Sequence, residues 1–185
     1  MKRRGFIGLG VMGYPMAGHI SKVYPTSVYN RSRNKSEDWN KTYKGTIAEN
    51  PEDLGRSCDE IFMCIGNDSD VREVISGKKG LLNSMSSGGI IIDHTTTSSS
   101  LSTEMSAICL EKGINYIDAP VSGGQVGAEN GALTIMAGGD KVAFEQAAIT
   151  LSCYAKFYKL MGPSGSGQLT KMVNQICIAG LLQGL

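Results

Sequence analysis

With 185 residues, 18 Lys plus Arg against 17 Asp plus Glu, and a formal net charge of +1, the chain suits one core with an appendage at ~150 residues per domain. Such a balance forces no basic face, so neither nucleic acid nor an anionic membrane is expected as a partner. Glycine is the outlier, at 24 residues where average usage gives roughly 13, and aromatics are only 6%, so tight turns matter more here than aromatic platforms.

Short β-branched or apolar runs alternate with longer helical patterns from the start of the chain. Gly5-Phe6-Ile7 leads to a helix from Met12 to Val23, Ser27-Val28-Tyr29 to one from Asn34 to Tyr43, and the run Glu60 to Ile65 to one from Ser69 to Ile75. Before that third strand, Asn50-Pro51-Glu52-Asp53 offers an N-cap with Pro at the first helical position. Gly89-Ile90-Ile91-Ile92 then runs through a Ser/Thr-rich loop, Thr95 to Thr103, into a helix from Ser99 to Lys112 that Gly113 closes. Strands at Asn115-Tyr116-Ile117 and Leu133-Thr134-Ile135-Met136, a helix from Lys141 to Leu151 and a strand from Lys156 to Leu160 complete the alternation. Repeated βαβ units predict an α/β fold of Rossmann type, a doubly wound and mostly parallel sheet of about eight strands. From Leu169 to Leu185 apolar residues fall on nearly every side of a helical wheel, which predicts a long apolar helix buried all round. Lys171, Asn174 and Gln175 interrupt it; at 100° per residue Gln175 lies about 40° and Asn174 about 60° from Lys171, on one polar stripe.

The five cysteines, Cys58, Cys64, Cys109, Cys153 and Cys177, are widely spaced, with no CxxC pair. They read as buried free thiols in a reducing compartment, with no metal site. Lys2-Arg3-Arg4 opens the chain, but glycines soon break the apolar stretch that follows. Neither a signal peptide nor a membrane span is expected, and the cytoplasm is the expected location, or the mitochondrion if a transit peptide precedes this sequence.

Gly8-Leu9-Gly10-Val11-Met12-Gly13 directly follows the first strand and opens the first helix. In that setting the first glycine allows the tight turn, the second lets a pyrophosphate approach the backbone, and the third permits close packing of helix on strand. A ligand-free glycine turn is the plainer alternative. At the end of the second strand, where a carboxylate would grip the ribose hydroxyls of NAD, the chain reads Asn30-Arg31-Ser32-Arg33. A guanidinium there favours the 2'-phosphate of NADP(H), with NAD(H) as the alternative, unless both arginines are ordinary solvated charges. Asp118-Ala119-Pro120-Val121-Ser122-Gly123-Gly124 ends a strand, and Ser122 with the N–H groups of Gly123 and Gly124 forms either a nest for a carboxylate or a plain turn. Lys171 is the candidate acid or base on the last helix, since burial readily lowers a lysine's pKa; a snorkelling surface lysine is the alternative.

These motifs resemble the β-hydroxyacid dehydrogenase family, which includes 3-hydroxyisobutyrate dehydrogenase, tartronate semialdehyde reductase and glyoxylate/succinic semialdehyde reductase. The glycine turn with Met16-Ala17, the Asp118 to Gly124 stretch, Gly127-Ala128-Glu129 with the run Gly131 to Gly139, and Gly165-Ser166-Gly167 leading to Lys171 carry the resemblance over essentially the whole chain. It implies an NADP(H)-dependent oxidoreductase that interconverts a small 3-hydroxy acid and its semialdehyde or keto form. Gly8, Gly10, Val11, Met12 and Gly13 would hold the dinucleotide, with Asn30, Arg31 and Ser32 at the ribose. Ile65, Gly66 and Val71 would flank the adenosine, and Thr96 would lie by the nicotinamide and substrate. Ser122, Gly123 and Gly124 would hold the substrate carboxylate, and Lys171 would be the general acid or base, assisted by Asn174 or Gln175. Gly66 departs from the pattern, since many members carry Pro there. The resemblance also implies a dinucleotide-binding domain over residues 1–163 and the start of an interdomain helix over 164–185. It further implies an all-helical C-terminal domain, expected to be absent here, and a homo-oligomer formed through that helix and the missing domain. The alternatives are a nucleotide-binding module without turnover and a decarboxylating enzyme of the 6-phosphogluconate dehydrogenase type.

Overall fold

The computed structural model describes residues 3–185. It contains nine strands: β1 (Arg4–Ile7), β2 (Thr26–Tyr29), β3 (Thr46–Ile47), β4 (Glu60–Met63), β5 (Ile90–Asp93), β6 (Asn115–Asp118), β7 (Val121–Ser122), β8 (Leu133–Gly138) and β9 (Ala155–Gly162). Eight helices accompany them: α1 (Gly13–Ser21), α2 (Arg33–Tyr43), α3 (Pro51–Ser57), α4 (Asp68–Ser76), α5 (Ser99–Glu111), α6 (Gly124–Glu129), α7 (Lys141–Leu151) and α8 (Ser166–Gly184). The expected mostly parallel sheet is present. It has one strand more than the expected eight or so, because β3 and β7 are two-residue strands too short to leave a periodic signal.

Strands β3-β2-β1-β4-β5-β6 are neighbours in that order and all parallel. β6 and β7 pair in turn with the antiparallel β8, and β9 lies parallel to β8. The order reverses at β1, which sits between β2 and β4. Open α/β sheets carry ligands at the carboxyl ends of strands beside such a switch point.

Alternate residues of each strand feed two cores. Phe6, Val28, Phe62, Ile92 and Ile117 face a layer that includes Met16, Trp39, Ala147 and Leu151. Ile7, Ile61, Met63, Ile91 and Tyr116 face Leu54, Val71, Ile75, Leu101 and Met105. Burial on both faces explains why the strands read as continuous apolar runs. The start signal at Asn50 acts as expected, its side chain accepting from Asp53 N at 3.0 Å, and the structure adds Ser98, whose Oγ accepts from Leu101 N at 3.1 Å and caps α5. All five cysteines are unpaired, yet only Cys58 and Cys109 are fully buried; Cys64 and Cys153 are half-buried and Cys177 is exposed.

The last helix departs from expectation. α8 is buried at Gly167, Gln168 and Lys171, but residues 172–185 are exposed apart from half-buried Asn174, with Ile176 at 71% and Leu182 at 69%. Only its first two turns meet the rest of the fold, so the remaining apolar positions have no described residue to pack against. No helix among the described residues is long and apolar enough to cross a membrane.

Two neighbouring buried groups at the end of β5 titrate in opposite senses. Burial lowers His94 from 6.5 to about 4, while its ring nitrogens bond the Ala119 carbonyl and the Tyr154 hydroxyl, each at 2.7 Å. Burial raises Asp93 from 3.8 to about 6. Between the two His94 values the unfolded chain binds the extra proton, so its contribution to stability falls as pH drops; between the Asp93 values the native state binds it, so stability rises as pH drops. Asp93→Asn removes the compensating group. Urea denaturation should show the variant losing more stability than the wild type between pH 6.5 and 4.5, by on the order of 2 kcal/mol.

Candidate functional site

The turn after β1 is shaped by three glycines with three separate constraints. Gly8 has φ +95°, and a Cβ there would lie 2.1 Å from the Cys64 carbonyl oxygen, so the turn rests directly against the end of β4. A Cβ on Gly13 would lie 1.9 Å from the Gly8 carbonyl oxygen, which brings α1 tightly onto the turn. Gly10 has no heavy atom within 4 Å of the corresponding position. Its open side belongs to a cavity of about 560 Å³ that Gly8 and Gly10 line. Met12 is the N-cap of α1 and makes no side-chain capping bond, and no acidic residue stands in the first turn. Tyr14 N and Met16 N donate to the Gly10 and Met12 carbonyls and Pro15 has no N–H, so what the start of α1 offers an anion is its uncompensated dipole. Val11 is exposed at 66% and lies outside the cavity lining.

The cavity extends from this turn to the β2–α2 turn and the β4–α4 loop. Asn30, Arg31, Ser32, Ile65 and Gly66 line it. Asn30 is not free for a ribose, however: its Oδ1 accepts from Leu9 N at 2.8 Å and its Nδ2 donates to Ser32 O at 3.0 Å, so it braces one turn against the other. Val71 is a correction, being fully buried in the core on the α4 side; the polar neighbours Asp70 and Glu73 line the cavity instead. Val71 and Ile75 form the apolar stripe of α4, and that spacing assigns them to the sheet. Arg33 turns away to pair with Glu37 and Glu49. Lys35, in the first turn of α2, lines the cavity in its place. Its position beside an N-cap was the available signal. That N-cap, Ser32, makes no side-chain capping bond either, so a second uncapped helix start borders the cavity.

A separate group of residues gathers where β5 and β6 end. The Asp118 carboxylate accepts from Gly165 N at 2.7 Å and Gln168 N at 3.0 Å, fixing the start of α8. Gln168 is 1% exposed; its Nε2 donates to Thr95 O at 2.7 Å and its Oε1 accepts from Thr97 N at 3.1 Å, so Thr96 is held between two anchored residues. One turn further along, Lys171 is 9% exposed and has neither hydrogen bond nor ion pair among the described residues, and desolvation lowers its pKa. Burial also raises Asp118, against the bonds it accepts. Sequence reasoning missed Gln168 because an amide in a helical run carries no local sign of a partner 71 residues away.

The amides beside Lys171 do not orient it. Asn174 Nδ2 donates to Gln175 Oε1 at 3.0 Å, and Gln175 is exposed. Gly123 has φ +127° and Gly124 φ +60°, and a Cβ on Gly124 would meet nothing within 4 Å, so the backbone after Ser122 is open to a ligand. Thr96, Ser122, Gly123, Gly124 and Lys171 all lie outside the lining of the 560 Å³ cavity. The cavity at the β1–α1 turn and the group around Lys171 are thus separate, with no lining residue in common.

Comparison with known proteins supplies the relationship. Residues 3–170 match the family described as the NAD binding domain of 6-phosphogluconate dehydrogenase. An uncharacterized oxidoreductase of Shewanella frigidimarina is 50% identical over all of this chain, which spans 64% of that protein's length. The mitochondrial 3-hydroxyisobutyrate dehydrogenase of Rattus norvegicus is 34% identical over 95% of the chain and 52% of its own length. The structure of Mycobacterium tuberculosis 3-hydroxyisobutyrate dehydrogenase with L-serine superposes with a TM-score of 0.89 at 25% identity, covering 97% of this chain and 60% of that one. The chain spans about two thirds or less of the relatives it matches. On the strand order, the glycine turn and these matches, it belongs to the NAD-binding domain family of 6-phosphogluconate dehydrogenase and its 3-hydroxyisobutyrate dehydrogenase-like relatives.

Proposed function

We propose that this chain is the coenzyme-binding part of an NADP(H)-dependent oxidoreductase that interconverts a small 3-hydroxy acid and its semialdehyde or keto form, working as a reductase. The observation that carries the reading is the pairing, at the carboxyl ends of the strands, of an open glycine turn with a buried lysine that lacks a counter-ion. The residues present fit a dinucleotide. Gly10 leaves room for a pyrophosphate, the start of α1 carries neither a side-chain cap nor a carboxylate, and the cavity continues to Arg31, Ser32 and Lys35. Two cations and an uncapped helix start suit a 2'-phosphate, whereas a free ribose would call for a carboxylate in that turn.

When bound, the nicotinamide supplies or accepts the hydride. Thr96, fixed through Thr95, Thr97 and Gln168, flanks that reaction centre. Ser122 and the N–H groups of Gly123 and Gly124 hold the substrate carboxylate. Lys171 gives a proton to the substrate oxygen during reduction and takes it back during oxidation; desolvation brings the amine closer to the pH at which it can do both. L-serine, present with the Mycobacterium tuberculosis relative, has the carboxylate and 3-hydroxyl this arrangement would engage. The exposed apolar positions of α8 and the greater length of the relatives support a further helical domain that covers this helix and brings two copies together.

Titration of the chain with each coenzyme, followed by nicotinamide fluorescence, should show NADPH binding more tightly than NADH. Arg31→Ala with Lys35→Ala should weaken NADPH about tenfold or more and change NADH less than about threefold, each lost charge-assisted contact being worth roughly 1.5–3 kcal/mol before solvent screening. Tighter NADH binding in the wild type would refute the coenzyme preference.

In a form that turns over, kcat/KM for oxidation of the 3-hydroxy acid should rise with pH to a plateau, with an apparent pKa below the ordinary lysine value of ~10.4. Lys171→Gln should lower kcat by about 100-fold or more and leave NADPH affinity nearly unchanged. Retention of most of the turnover would remove Lys171 from the reaction.

A further inference from the structure

Arg31 is not idle in the cavity. Its Nη1 lies 3.3 Å from Asp70 Oδ1, so a side chain from the β2–α2 turn reaches the first turn of α4, 39 residues away in sequence. Both residues line the cavity, and the Arg31 side chain is otherwise 86% exposed. The neighbouring acids differ: Glu49 also lines the cavity but is engaged by Arg33, and Glu73 lines it while the Arg31 guanidinium pairs with Asp70. Asp70 is therefore the carboxylate that faces the cation expected to meet a phosphate.

Asp70 can hold this position because residue 66 is glycine. A Cβ at Gly66 would lie 2.1 Å from Asp70 Oδ2, so any side chain there would push the carboxylate from its seat.

We infer that Asp70, seated over Gly66, sets coenzyme specificity: it holds Arg31 across the cavity and must surrender it to a 2'-phosphate. The inference rests on the reading of Arg31 as the phosphate contact. The pair is a single monodentate contact, and exposed pairs of this kind are weak. A phosphate dianion offers the guanidinium two parallel bonds and displaces the carboxylate. The displaced Asp70 then remains beside the 2'-phosphate, a group of like charge that NADH lacks. Asp70 accordingly opposes NADPH selectively and narrows the preference that Arg31 and Lys35 create.

The test measures dissociation constants of NADPH and NADH at fixed ionic strength for the wild type, Asp70→Asn and Gly66→Ala. Asp70→Asn keeps the size of the side chain and removes its charge; Gly66→Ala leaves the charge and displaces the carboxylate. Both should raise the ratio of NADPH to NADH affinity, by about three- to tenfold for Asp70→Asn, and high salt should shrink the difference. An unchanged ratio in both variants overturns the inference while leaving the coenzyme reading intact. A fall in NADPH affinity would mean that Asp70 positions Arg31 for the phosphate, and a fall in NADH affinity alone would mean that it grips the ribose hydroxyl; either result overturns the inference. If the wild type binds neither coenzyme, the coenzyme reading fails and this inference falls with it.

Discussion

The contact on which the ligand-facing edge depends is the approach of the β1–α1 turn to the end of β4, where a Cβ on Gly8 would lie 2.1 Å from the Cys64 carbonyl oxygen. Any other residue would lift the turn from the sheet, and with it the start of α1, which Gly13 packs onto Gly8. Because β1 stands at the reversal of strand order, the connections from β1 and β4 diverge there and leave a crevice. The cavity occupies that crevice. The asymmetry among the three glycines follows: two are fixed by protein atoms, and Gly10 faces open space.

Across the sheet at the same carboxyl ends, where β6 finishes, the organising element is the Asp118 carboxylate. It is desolvated, which is unfavourable for its charge, yet it accepts two backbone N–H bonds from the start of α8. Such bonds offset the desolvation and fix where the helix enters. Gln168 carries the same positional information to the Thr95–Thr97 segment. Lys171 thereby stands on a helix whose origin and rotation are set by the sheet, and its low exposure follows from that placement rather than from its own contacts.

The two halves of the site differ in how visibly they were written. Gly8, Gly10 and Gly13 form a local pattern whose meaning depends only on the preceding strand and the following helix, so position along the chain suffices. Arg31 and Lys35 are equally local to one turn. Asp70 is not, because its relation to Arg31 arises from two loops that meet only after β2, β1 and β4 align. Val71 shows the converse: the family resemblance set it beside the adenosine, and the stripe it forms with Ile75 decided for the core.

The sequence by itself determined the alternation of strand and helix, the cap at Asn50, the glycine turn and the doubly wound class, because each rests on short-range spacing and backbone sterics. Tertiary structure alone decided which charges meet, namely Arg31 with Asp70 rather than with solvent, and Arg33 with Glu49 rather than with the cavity. It also decided that α8 is buried only through Lys171, since burial is a relation between a residue and what packs on it. A helical wheel displays the apolar faces of that helix; only the assembled fold shows which of them are covered.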